Sequence, residues 1–251
     1  MITEVEQKLY KYLFPVTERK VLVQGDDNSI IPYPEYKAIA REDNGKLISI
    51  QSDSCKVVTN SEVIKPLLEQ LNTLDSKWII DPSHSFVTDQ RMRLQITFPD
   101  LTFSDGRSDI ALSLFVHNSY DSSEGVRMFW GAIRGICSNG MVFGRVLAKY
   151  YHKHTKGIPL NNLKAQIEST YKQIPVISER IQILQNLNVS KSLNESVEKY
   201  LGKRISKYVK EQKKAENAWI LYNYLTYYIS HEIDQRLRAA YQMRVSKMFQ
   251  L

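Results

Sequence analysis

Cysteine is almost missing from this chain: Cys55 and Cys137 are the only two in 251 residues. Two thiols cannot build a disulfide framework. Neither stands in a CxxC pair or in a Cys/His cluster at zinc-ligand spacing, which excludes a disulfide-stapled secreted fold and a structural zinc domain. Reduced thiols in a cytoplasmic protein are the expectation. Glycine and proline are also scarce, at 10 and 8; no segment is low in complexity and none repeats, so no long disordered tail is expected. No apolar run approaches the roughly 20 residues of a membrane span, and the acidic first residues (Glu4, Glu6) do not form the apolar stretch of a leader. The chain is expected to be soluble, with no membrane partner.

Several catalytic signatures are missing too. There is no GxxxxGK[ST] phosphate loop and no HExxH, which argues against an ATPase or a zinc hydrolase. Pro99-Asp100 opens in the manner of a restriction-type carboxylate motif, yet no Asp/Glu-x-Lys follows on the strands expected after it. A helix-turn-helix signature is absent as well, so sequence-specific reading of a duplex groove is not favoured.

What the chain does have is lopsided charge. Its 34 Lys and Arg against 27 Asp and Glu give a net +7. Residues 145–251 hold 19 basic and 8 acidic groups, leaving 15 basic and 19 acidic for residues 1–144. An acidic-to-neutral fold with a basic extension attracts a polyanion or an acidic surface.

Hydrophobic periodicity separates the same two parts. A short helix is expected over 2–13, then strands at 21–23, 36–41, 47–50 and 55–58, with a hairpin turn at Asp43-Asn44-Gly45. Asn60 or Ser61 is placed to cap a helix over 61–74. Strands follow at 78–80, 86–87, 91–98, 109–117 and 126–134, with Asp105-Gly106 as the tight turn between two of them. Helical periodicity then covers 161–188, 192–214 and 215–248. The fold class read from this order is α+β: an antiparallel β-rich N-terminal core over 1–156, followed by a basic helical C-terminal region over 157–251 packed on that core. Lys156-Gly157-Ile158-Pro159 is the expected joint.

Three clusters carry candidate chemistry. The loop His117-Asn118-Ser119-Tyr120-Asp121-Ser122-Ser123 is dense in donors and acceptors. His117 and Asp121 are a possible base and orienter, or two metal ligands, although turns use the same residue types to satisfy their own backbone. No third and fourth ligand stands nearby, so neither a metal nor a cofactor is expected. Cys137-Ser138-Asn139-Gly140 offers a thiol near Arg134, but nucleophilic cysteine chemistry also needs a base and an oriented third group, and Asn139-Gly140 reads equally well as a tight turn. The third cluster is a stripe. Lys199, Lys203, Lys207, Lys210 and Lys214 step by 4, 4, 3 and 4, while Val197, Leu201, Ile205 and Tyr208 are offset by about 200°, so one helix face is buried and the other is cationic. Arg204, Lys191 and Lys213 widen the patch, and Arg127 and Arg134 add charge nearer the polar loop if both face outward.

The stretch 115–144, FVHNSYDSSEGVRMFWGAIRGICSNGMVFG, combines N-S-x-D-x-S, an arginine and C-S-N-G. It resembles a phage- and plasmid-like family, domain of unknown function 932. Pro34–Arg41 looks like that family's early strand, and Trp219–Thr226 followed by His231 looks like its closing helix. Members commonly have histidine where this chain has Tyr120 and glycine where it has Ser122, departures that weaken a catalytic role for the loop. The resemblance implies a mobile-element setting, often near recombination and replication genes, and no particular activity.

Two functional expectations follow. One is a nucleic-acid-binding accessory protein, single-stranded DNA favoured, with Lys199, Lys203, Arg204, Lys207, Lys210, Lys214, Arg127 and Arg134 as contacts. The other is a protein–protein module or inhibitor whose partner is an acidic protein. An enzyme built on the polar loop or on Cys137 is the least favoured reading. The aromatic helix at 215–248 leaves room for a homo-oligomer.

Overall fold

The computed structural model describes residues 9–82, 84–134, 139–142, 149–152 and 163–251. It has the expected α+β architecture, with antiparallel sheets first and helices after. The short helix expected over 2–13 falls partly outside the described residues; a single 3-10 turn stands at Tyr10–Tyr12.

Three strands form a small sheet in the order β1-β2-β3: β1 (Val16–Gln24), β2 (Ile30–Arg41) and β3 (Leu47–Ser52). Both β1 and β2 are longer than periodicity predicts, because their outer halves are exposed on both faces and show no alternation to read. Pro32 and Pro34 sit in that outer half, where β2 has β1 alone beside it, since β3 pairs only with Tyr36–Ala40. An open edge is where a strand tolerates proline. The turn at 43–45 stands as expected, with Gly45 at φ +72°. Residues 55–58 form no strand and instead lead into α1 (Asn60–Leu71). The cap of α1 is Thr59, one residue earlier than expected, in a reciprocal capping box with Glu62.

The second sheet is the frame of the molecule. Its path runs β10-β8-β7-β6-β4, with β5 also on β6 and β9 also on β8. The three long central strands are β6 (Arg91–Ser104), β7 (Asp109–Ser119) and β8 (Val126–Arg134); β4 (Ile79–Ile80), β5 (Phe86–Val87), β9 (Asn139–Val142) and β10 (Lys149–His152) are short. Register sorts the side chains by face. Leu94, Val116 and Met128 align across the strands, as do Ile96, Leu114 and Trp130, then Phe98, Leu112 and Ala132. This apolar face belongs to the main core with Val63, Ile64, Leu67 and Leu71 of α1. The opposite face is mixed: Arg93 stands beside His117 and Arg127, and Gln95 beside Phe115 and Phe129. Gly131 is required where β9 crosses closely, since a Cβ there would lie 2.4 Å from the Met141 carbonyl oxygen.

Among the described residues six helices follow: α2 (Leu163–Tyr171), α3 (Ile174–Asn186), α4 (Lys191–Leu201), α5 (Lys203–Glu211), α6 (Ala218–Glu232) and α7 (Gln235–Phe249). Each of the three long helical segments expected from periodicity is interrupted. Pro175, in the first turn of α3, ends the first, because proline has no N–H to continue a helix through it. Gly202 breaks the second at φ +94° and ψ 164°. The third stops at Ile233, and Asp234 restarts it as an N-cap that accepts from the Arg236 N–H. The joint expected at 156–159 lies outside the described residues. Ile177, Ile181 and Leu184 of α3, Val197 and Leu201 of α4, Ile205 of α5 and Leu221 and Leu225 of α6 share one buried cluster with the sheet, so helices and sheet have a common core.

Candidate functional site

The polar loop holds the two sheets together. Asn118 is fully buried; its Nδ2 donates to the Val58 carbonyl and to Asn60 Oδ1, both at 2.9 Å. Asn60 in turn donates to the Tyr12 carbonyl through Nδ2, and its backbone N–H donates to the Tyr120 hydroxyl at 2.7 Å. Ser49 of β3 donates to the Tyr120 carbonyl at 2.6 Å. Burial pushes the Tyr120 phenol up to about 12, so it stays protonated. Ser122 lies at φ +57°, a conformation that favours glycine, and its hydroxyl bonds Gln51.

His117 and Asp121 do not act as a pair. Asp121 bonds Arg91 at 3.2 Å and accepts from the Ser123 N–H, while His117 Nδ1 lies 3.7 Å from Glu124 Oε2. Glu124 bridges further to Arg93 at 2.9 Å and is 4.0 Å from Arg127. His117 is buried, edge-on to Phe129, and burial lowers its pKa to about 4, leaving the imidazole neutral near pH 7. Burial alone would raise the Glu124 carboxyl, but the neighbouring His117 and Arg93 outweigh it and hold it near 2. Among the described residues no group of three His, Cys, Asp or Glu is placed to hold a metal ion. Cys137 lies outside the described residues; Asn139 stands in β9 opposite Arg134. The loop is thus a structural junction.

Arg127 and Arg134 end up on opposite faces and at opposite ends of β8, because residues seven apart on a strand of period two cannot share a face. Arg127 is exposed near the polar loop. Arg134 instead bonds Asp105, whose side chain is completely buried in the β6–β7 turn. Asp105 Oδ2 also accepts from Trp219 Nε1 at 2.8 Å, and Oδ1 accepts from the backbone N–H groups of Arg107 and Ser108. Burial opposes ionisation there, and these four donors overcome it, keeping the carboxyl below its ordinary range. One aspartate thereby pins β8 and the start of α6 to the sheet turn.

The cationic stripe is split by the Gly202 break. Lys199 belongs to α4; Lys203, Arg204, Lys207 and Lys210 belong to α5; Lys214 lies beyond both, in the connection to α6. All six side chains are exposed, while Val197, Leu201 and Ile205 anchor the two helices in the core. Lys207 meets Glu211 at 3.8 Å and Lys210 meets Glu198 at 3.5 Å, exposed pairs that are worth little in water. Lys199, Lys203, Arg204, Lys213 and Lys214 have no acidic partner within 4 Å among the described residues. Lys199 lies over the Tyr200 ring at 5.4 Å and Arg204 over Tyr228 at 6.0 Å. From Lys191 to Lys214 there are eight basic and three acidic residues.

Lys213 and Lys214 also line a cleft that no local sequence pattern reveals. It measures about 370 Å³ and is lined by Arg107, Arg134, Lys213, Lys214, Asn223 and Tyr224, among others. These residues come from the β6–β7 turn, the end of β8, the α5–α6 connection and the first turns of α6. No spacing rule links them.

The family described as Domain of unknown function (DUF932) matches residues 48–248, more than half of the chain. The protein belongs to the DUF932 family. The matched span includes the large sheet, the cationic helices and every residue named for the cleft, and it begins after β1 and β2; the Pro34–Arg41 stretch therefore lies outside it. No curated protein and no solved structure matches the chain. Among the described residues, no helix of this DUF932 protein is long and apolar enough to cross a membrane.

Proposed function

We propose that this DUF932 protein is a nucleic-acid-binding accessory protein, preferring single strands, that acts in the cytoplasm in the recombination or replication of a phage or plasmid. The observation that carries the reading is the row of exposed cations on α4 and α5. Lys199, Lys203 and Arg204 have no acidic partner among the described residues, while the opposite sides of these helices are buried. Each phosphate neutralised by such a group releases condensed counterions, so the row favours a polyanion over a small acidic ligand. Tyr200 is half-exposed beside Lys199 and offers a face on which a base can stack. An unpaired strand can lie on an exposed helical surface without a groove-reading element, which supports the single-strand preference.

Fluorescence anisotropy with an oligothymidylate and a duplex of equal length tests the reading. Tighter binding of the single strand supports it. Absence of binding to either at low salt rejects it.

The second reading, a protein–protein module or inhibitor directed at an acidic host or phage protein, is favoured by the outer half of the β1–β2 hairpin. Leu22, Val23, Ile30 and Ile31 are exposed there, and isolated two-stranded arms are only marginally stable in water. Cross-linking in nuclease-treated lysate, with attachment mapped to residues 20–34, distinguishes this reading from the first.

A further inference from the structure

We infer that the cleft between the β6–β7 turn and α6 is a phosphate site that holds one nucleotide unit. The inference rests on the nucleic-acid reading above but concerns different residues, 107 to 134 and 213 to 224 rather than the α4–α5 row.

Four cations line the cleft. Arg134 is occupied by Asp105, which leaves Arg107, Lys213 and Lys214 exposed, with no acidic partner within 4 Å among the described residues. Glu216 is the one acid among the described residues of the lining, which is net positive. Three unpaired cations from two chain segments converging on one concavity suit a tetrahedral dianion or a phosphodiester better than a carboxylate.

Two polar atoms point the same way. Asn223 Oδ1 and Arg134 Nε are both buried and meet no hydrogen-bond partner among the described residues. Buried polar atoms are nearly always satisfied in folded proteins, and exceptions mark a missing ligand or water. Asn223 is held in place, since its Nδ2 donates to the Trp219 carbonyl at 2.8 Å. These atoms lie beneath the cationic rim, in two side chains of the cleft wall, one an unmet acceptor and one an unmet donor. A nucleotide offers the complement: phosphate oxygens, and the N–H or O–H donors of a base or sugar. Tyr224, half-buried in the lining, supplies an aromatic edge. The volume of about 370 Å³ is of the size that holds a small ligand. The rim is also well anchored, because the Asp105–Trp219 bond fixes the turn that carries Arg107 against the helix that carries Asn223.

Calorimetric titration of the full chain with inorganic phosphate, thymidine and thymidine 5′-monophosphate tests the site, beside anisotropy with 5′-phosphorylated and 5′-hydroxyl oligothymidylate. The expected result is saturable binding of the monophosphate, none of thymidine, and a loss of about tenfold or more in Arg107→Ala/Lys213→Ala/Lys214→Ala. All three side chains are exposed, so the variant should keep its thermal midpoint. Preference for the 5′-phosphorylated oligomer assigns the cleft to a strand end. Equal loss with both oligomers assigns it to an internal phosphate, and binding of the monophosphate alone assigns it to a free nucleotide. Thymidine binding as tight as the monophosphate, or an unchanged monophosphate and oligomer affinity in the triple variant, overturns the inference. In the latter case a Lys203→Ala/Lys207→Ala variant that still weakens strand binding leaves the broader reading standing.

Discussion

The polar loop at one end of the large sheet and the cationic surface at the other both look functional in sequence, and the structure separates them. Around Asn118, Tyr120, Asp121 and Glu124 most donors and acceptors meet within the protein, the buried Asn118 Oδ1 being an exception, and the contacts tie the small sheet to the large one. Along α4, α5 and the rim of the cleft, cations stand in solvent, several with no partner among the described residues. Saturated polar groups maintain the fold. Unsaturated ones are free to bind. Substitutions of the buried, bonded groups should change stability and leave binding alone, and substitutions of the exposed, unpaired cations should do the reverse.

The largest effect is expected at Asp105, a saturated group buried behind the cleft. Asp105→Ala leaves Arg134 and Trp219 Nε1 without their acceptor, and removing one partner of a buried pair costs about 3–5 kcal/mol. Urea unfolding should show the midpoint falling accordingly; a change below about 1 kcal/mol would mean that water replaces the carboxylate freely.

Next comes acid sensitivity at the loop. The buried His117 titrates near 4 in the folded protein against an ordinary 6.5, so between those values the unfolded chain binds the extra proton and stability falls as pH drops. Glu124, held near 2 against an ordinary 4.5, contributes stability above about 4.5 that is lost as pH falls further. Thermal midpoints should therefore decline from pH 6.5 downward, with about 3 kcal/mol attributable to His117 by pH 4. In His117→Gln the decline between 6.5 and 4 should flatten, and the part below 4.5 should shrink without vanishing, because Glu124 keeps Arg93 but loses His117. The same slope in both proteins would contradict the assignment.

A smaller loss, about 1–3 kcal/mol, is expected for Asn118→Ala, which strips a donor from the buried Val58 carbonyl and Asn60. Its measure is the denaturant midpoint, with strand affinity of the folded protein unaltered. The smallest stability effect should come from Lys203→Ala/Lys207→Ala, within about 0.5 kcal/mol, because both side chains are exposed and the single pair they lose is a surface one.

Local signals made much of this fold legible. Alternation along 109–117 and 126–134 reflects strands with two distinct faces, and Asp43-Asn44-Gly45 and Asp105-Gly106 mark turns that both stand in the structure. Helix ends were harder to read. Periodicity sums over many residues and ran across Pro175, Gly202 and Asp234, although each carries its own breaking or capping chemistry. The hairpin arm was under-read for the opposite reason: without a buried face there is no pattern to find. The lysine row was visible because helical spacing is local. The cleft was not, since the Asp105–Trp219 bond that shapes it joins residues 114 positions apart. Arg127 and Arg134 show the same limit, as their odd spacing on one strand already sends them to opposite faces.

The salt dependence of single-strand binding tests the central claim most directly, because free cations and saturated ones differ in counterion release. The logarithm of affinity should fall steeply with the logarithm of salt, and Lys203→Ala/Lys207→Ala should make the slope shallower by about 1.4, at roughly 0.7 per phosphate contact. Asn118→Ala should leave it as it is. An unchanged slope in the lysine variant, or a slope altered only by the asparagine change, would contradict the division of labour between the two ends of the sheet.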